Sequence, residues 1–203
     1  MKAEQIMDTH KFKKCAEFHG HVCPGLSIGY RAADSAMGRL NESRSVDEEI
    51  VAIVETDACS ADAVQVLTGC TFGKGNFIYR DYGKMALTLL SRNTGKGIRV
   101  ALRAGAFSPD ENHLSLLKKV IAGSADEQEK KEFYKIHFRR SCDVLEMPEK
   151  DLFDIKQVQM ELPSTALVES SVTCSLCGEP VMRTKLQQTE KGLVCRGCAD
   201  EHC

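Results

Sequence analysis

Apolar and small residues recur at helical spacing from residue 24 to residue 40, with Leu26, Gly29, Tyr30, Ala33, Met37 and Leu40 on one side. Pro24 lacks the N–H that a first turn leaves unpaired, so it suits the start of that helix. Gly29, Ala32, Ala33 and Ala36 make the stripe shallow and predict close packing on a flat surface. Residues 49–56 (EIVAIVET) are apolar and β-branched, the pattern of a buried strand. A second helix is predicted over 60–68, with Ala61, Val64 and Leu67 on one side. Residues 69–76 (GCTFGKGN) carry three glycines and read as a loop beside a site. Strands are predicted at 77–81, 85–90 and 97–104, joined by turn-prone pairs such as Tyr82-Gly83. A long charged helix over 126–147 is expected to bury Tyr134, Phe138, Cys142 and Leu145 and to hold its charges in solvent. A last strand is predicted within 152–162.

Successive strands joined by short turns, mixed with helices, favour an α+β core with a mixed or antiparallel sheet and no βαβ unit. The polar stretch PSTALVESSVT then divides the chain: a core domain over 1–163, a linker over 164–173, and a small module over 174–203.

Composition narrows the function. The 203 residues carry 27 basic and 29 acidic side chains, a formal charge of −2, so no global field draws the chain to nucleic acid or anionic lipid. No apolar run approaches the ~18 residues of a membrane span, and the N-terminus has no signal-type apolar stretch. The expectation is a cytoplasmic protein. Ten cysteines in that setting point to metal ligation or thiol chemistry before disulfides.

Four of them form two CxxC pairs, Cys174/Cys177 and Cys195/Cys198, separated by 17 residues. Such pairs put two sulfurs on one ion at a tight turn, and four thiolates close a tetrahedron with no open position, the mark of a structural Zn²⁺ site. Rubredoxin-like iron is the metal alternative. The intervening residues read as a hairpin turning near 190–192. So short a module has little core of its own, and metal would supply about 10 to 16 kcal/mol of its folding free energy. Four basic and four acidic residues from Cys174 onward disfavour a nucleic-acid finger. Cys203, beside His202, is a substitute ligand or a spare thiol.

A second constellation precedes the first helix. In FHGHVCPG, His19, His21 and Cys23 alternate, so an extended backbone would point all three one way. Cys23 would cap the helix, where free amides and the helix dipole lower a thiol pKa. With Cys59 after the first strand and Cys70 in the glycine loop, His21 and Cys23 would form a soft-ligand pocket for a transition metal. Alternatively, Cys59 and Cys70, like Cys15 and Cys142, are small buried hydrophobes. Lys74 and Asn76 of the glycine loop are candidates for anion or cofactor contact, although the loop lacks the P-loop order.

Taken together, HGHVCPG, DACSADAV, GCTFGKGN and the terminal CSLCGEP and CRGCADEHC resemble the FmdE-like family, named for a component of molybdenum formylmethanofuran dehydrogenase. The resemblance implies an α+β core, often dimeric, followed in some members by a treble-clef zinc finger. The matching motif positions are His19, Gly20, His21, Cys23, Pro24 and Gly25, then Cys59, Asp62, Gly69, Cys70, Thr71, Gly73, Lys74, Gly75 and Asn76. The function expected is that of a metal-binding accessory protein of molybdenum or tungsten C1 metabolism. In it a core metal is held by His21, Cys23, Cys59 and Cys70, with His19 supporting, and the finger docks a protein partner. Two alternatives are an enzyme acting on a small acyl or formyl compound, with Cys23 as nucleophile and His19 or His21 as base, and a nucleic-acid-binding finger.

Overall fold

The computed structural model describes residues 1–108 and 110–200, and the chain divides into two compact units, the second beginning at Ala166. The first unit opens with α1 (Ala3–Met7) and α2 (His10–His19), neither of them predicted from periodicity. Thr9 caps α2 by accepting the Phe12 N–H, and Gly20 ends it at φ +90°. Helix α3 (Pro24–Leu40) has the predicted bounds, with Cys23 as its N-cap. It is followed by β1 (Ile50–Val54), α4 (Ser60–Thr68), β2 (Phe77–Tyr79), β3 (Ala86–Ser91) and β4 (Gly97–Leu102). Then come α5 (Glu111–Ile121), α6 (Glu127–Glu146), the short α7 (Glu149–Leu152) and β5 (Phe153–Val158).

The five strands form one sheet in the order β2-β1-β3-β4-β5. All neighbours are antiparallel except β1 and β2, which are parallel with Ala52 opposite Phe77. Parallel neighbours need a crossover, and α4 supplies it, so a βαβ unit is present where none was expected. Strand β1 is buried on both faces. Ile50, Ala52 and Val54 meet Ile28, Ala32, Ala33 and Ala36 of α3. Val51 and Ile53 pack on the other side with Leu90, Val158, Met160 and Leu162. That double cover explains a strand with no polar alternation.

Helices α3 and α4 approach backbone to backbone. A Cβ added at Gly29 would lie 2.3 Å from the Ser60 carbonyl oxygen and 2.6 Å from its Cα. At Gly25 an added Cβ would lie 3.0 Å from Cys59 Cβ. The far end of α6 is tied to α3 by Arg31, whose Nη1 donates to the carbonyls of Val144, Leu145 and Met147 at 3.0, 2.6 and 2.9 Å.

Helix α6 begins with a capping box. Asp126 accepts the Gln128 and Glu129 N–H groups, and Glu129 accepts the Asp126 N–H. Its buried face is rotated from the expected one. Phe133, Ser141, Val144 and Leu145 are buried, while Tyr134 and Phe138 are exposed. The cause is α5, an element the hydrophobic pattern does not predict, which packs against α6 through His113 and Phe133.

The second unit holds two hairpins, β6 (Ser171–Thr173) with β7 (Pro180–Met182) and β8 (Leu186–Thr189) with β9 (Gly192–Cys195), then α8 (Arg196–Ala199). The last three residues of the stretch expected as linker are therefore strand. Cys203 lies outside the described residues. Among the described residues, no helix is long and apolar enough to cross a membrane.

Gly29→Ala should lower stability by about 1–3 kcal/mol, the range of a core overpacking change. Gly38→Ala, in the same helix with nothing within 4 Å of an added Cβ, should be neutral or stabilising by up to about 1 kcal/mol. Urea denaturation of both variants checks the pair, and equal midpoints would contradict the close contact.

Candidate metal centres and the cavity beside one of them

His19 is the last residue of α2, Gly20 turns the chain through its left-handed conformation, and Cys23 opens α3. The segment is thus a helix end, a turn and a cap, and not the extended run expected. It still gathers the three side chains: one ligand atom from each of His19, His21 and Cys23 lies within 4.8 Å of the others. His19 and His21 ring centroids are 4.5 Å apart.

Asp62, in the first turn of α4, bonds His19 Nδ1 through Oδ2 at 2.7 Å. A carboxylate there holds the proton on Nδ1 and turns the Nε2 lone pair toward Cys23 Sγ, 3.6 Å away. Metal sites commonly orient a histidine ligand in this way. Cys59 stands beside this group of three, its Sγ and that of Cys23 lying 3.7 and 3.9 Å from where a Cβ on Gly25 would be, and would bring the donors to two imidazoles and two sulfurs. These donors suit zinc, iron, nickel or copper and not a hard cation.

Cys23 caps α3 as expected, its Sγ accepting the Leu26 N–H at 3.3 Å. The neighbouring Cys59, followed by burial, pushes the Cys23 thiol up, against the expected lowering. Cys23 in turn, with His19 nearby, brings Cys59 down to about 5.

Cys70 does not join this group. It lies beyond the opposite end of α4 from Cys59, and nine helical residues span about 13 Å. It is fully buried in the main core, with its thiol on the Ile50 carbonyl at 3.3 Å. Asn76 is also fully buried, its amide nitrogen donating to the Asp47 and Ile50 carbonyls and its oxygen accepting the Thr71 N–H. Lys74 Nζ donates to the Val46 and Asp47 carbonyls. These two residues brace the glycine loop, leaving their polar groups engaged within the fold.

A cavity of about 620 Å³ opens over the cluster, lined by His21, Cys23, Cys59, Phe107, Phe133 and His137 among others. Its far wall is the α5–α6 pair. There His113 Nε2 meets His137 Nδ1 at 3.0 Å, and His137 stacks on Phe133 with centroids 4.8 Å apart. Burial first, then Arg140 beside His113 and His113 beside His137, holds both imidazoles below the ordinary histidine range. His113 escapes sequence reasoning because α5 does, and His137 because α6 buries a different face from the expected one. The available signal was Asp110 as an N-cap, accepting the His113 N–H at 2.7 Å.

In the second unit the sulfurs of Cys174, Cys177, Cys195 and Cys198 lie within 4.8 Å of one another. The Cys195 and Leu176 N–H groups donate to Cys174 Sγ at 3.3 and 3.5 Å, and the Cys198 N–H donates to Cys195 Sγ. Amides aimed at Cys174, that of Cys195 foremost, bring its thiol down to about 6. The four sulfurs have the arrangement of a closed metal site.

A family model described as "FmdE, Molybdenum formylmethanofuran dehydrogenase operon" matches residues 18–154. The chain belongs to the FmdE family. The match takes in every residue of the core cluster and the wall that faces it. This FmdE-family chain is 34% identical over 201 residues to a probable S-adenosyl-L-methionine-binding protein of Archaeoglobus fulgidus, covering 96% of the chain and 54% of the relative. It therefore spans about half the length of that protein. The crystal structure of a tungsten formylmethanofuran dehydrogenase FmdE-like protein from Syntrophus aciditrophicus superposes with a TM-score of 0.61. That protein is 26% identical, with 98% of this chain and 92% of the other covered.

Stripping metal from the full chain with a strong chelator should unfold the second unit and spare the first. Amide hydrogen exchange should show protection lost at Val194 and Cys195 and kept at Val51 and Ile53. Unchanged protection at Val194 would contradict a metal-dependent fold there.

Proposed function

We propose that this FmdE-family chain is a metal-binding accessory protein of molybdenum or tungsten formylmethanofuran dehydrogenase-type C1 metabolism. In this reading His19, His21, Cys23 and Cys59 hold a transition metal in the core, and the four tail cysteines hold a structural Zn²⁺. The observation that carries it is the convergence of His19, His21 and Cys23, with Asp62 fixing His19, in a chain whose family is associated with that operon. The tungsten-enzyme description of the Syntrophus aciditrophicus protein supports the same setting. The second unit docks a protein partner, the chain works in the cytoplasm, and it pairs with a second copy of itself.

A second reading is favoured by one geometric observation. Cys23, His19 and Asp62 follow in the order nucleophile, base and orienting carboxylate, with contacts of 3.6 and 2.7 Å. An enzyme using Cys23 on a small acyl or formyl compound would use that arrangement. S-adenosyl-L-methionine, named for the Archaeoglobus fulgidus relative, is a weaker fit to the cavity. Its zwitterionic end meets no Lys, Arg, Asp or Glu among the described lining residues.

Elemental analysis of protein purified without added metal should give two equivalents per chain, one of them zinc. The double variant Cys23→Ala, Cys59→Ala should lose one equivalent and keep the zinc. Retention of both equivalents would refute the core metal site. Turnover of an acyl compound that disappears in Cys23→Ala at unchanged metal content would favour the enzyme.

A further inference from the structure

The His113–His137 pair belongs to neither metal group, and its protons can be placed by elimination. His113 is only 3% exposed, and its Nδ1 has no hydrogen-bond partner among the described residues. A proton on that nitrogen would be a buried donor with nothing to receive it, which costs more than an idle acceptor lone pair. The His113 proton therefore sits on Nε2 and is donated to His137 Nδ1 across the 3.0 Å contact. With Nδ1 accepting, the neutral His137 ring carries its own proton on Nε2. That nitrogen has no partner among the described residues, and His137 lines the cavity over Cys23 and Cys59. The α6 side of the cavity thus presents a fixed N–H donor.

The rest of the lining selects what the donor meets. Phe107, Leu117, Val120, Phe133 and Tyr134 are apolar or aromatic, and the described lining includes no Lys or Arg. On this apolar wall an uncharged oxygen acceptor can meet the His137 donor without the desolvation cost of an ion. The volume, about 620 Å³, is that of a small-molecule site.

We propose that this cavity binds an uncharged molecule with an aromatic or aliphatic body and one carbonyl oxygen, and that His137 Nε2–H holds the oxygen. His113 is the positioning residue that fixes the His137 tautomer. The proposal rests on the reading of the Cys23 cluster as the functional centre and deepens it, because it names what would be presented to that centre.

The test uses full-length protein as purified and two probes of one skeleton, 4-phenyl-2-butanone and butylbenzene, with the His137 ring nitrogens followed by NMR. The ketone should bind the wild type more tightly than the hydrocarbon and shift His137 Nε2. His137→Phe should weaken the ketone about tenfold, the factor of one net hydrogen bond, and leave butylbenzene unchanged. His137→Gln keeps an N–H and should recover part of the loss. His113→Phe should weaken the ketone and move the proton between the His137 nitrogens, a shift that simple loss of packing would not produce. Equal affinity of the two probes for wild type, no binding of either, or ketone affinity unchanged in His137→Phe would each overturn the proposal. Metal content measured on the same samples separates the two readings: wild type lacking a core metal would sink the metal site, and the ketone comparison would still decide this one.

Discussion

The near-contact of the α3 and α4 backbones is the constraint on which the core site depends. Gly29 against Ser60 and Gly25 against Cys59 leave no room for a side chain between the two helix starts. Their N-caps, Cys23 and Cys59, are therefore neighbours, and Asp62, in the first turn of α4, reaches His19 at the end of α2. Three helix ends meet at one place because two glycines let them. The glycines are structural in themselves, yet each donor of the cluster is placed by them.

Burial gives the meeting its chemistry. The two neighbouring thiols act on each other, Cys23 pushed up and Cys59 brought down. Metal ligation would need both sulfurs deprotonated. His19 needs no such change, since Asp62 already holds its proton on the far nitrogen. The tail cysteines reach a similar state by another route, with backbone amides instead of a neighbouring helix drawing negative charge onto Cys174.

Much of this was legible in the residues. The bounds of α3 and α4, the buried β1 and the four tail sulfurs followed from periodicity and CxxC spacing, since local pattern determines them. The parallel pairing of β1 with β2 was not, because a nine-residue crossover helix resembles any short helix until both strands are placed. Grouping Cys70 with Cys59 failed for a geometric reason: closeness in sequence says little when a rigid helix stands between. The rotation of α6 followed from overlooking α5, whose apolar positions are sparse and whose clearest mark was the Asp110 cap. Tyr134 and Phe138 were assigned inward on hydrophobicity alone, whereas the histidine at position 137 takes the inner place.

Arg31 gives the cavity wall a mechanical character. Its three hydrogen bonds grip the last turn of α6 from the middle of α3, at the end of that helix away from its Asp126 cap. A twenty-residue helix is a rod of about 30 Å, and α5 holds its other half through Lys119 on Glu129 and Asn112 on Glu132. Pinned at both ends, the rod carries His137 on a braced span, so a molecule entering above the sulfurs would meet a wall already set in place.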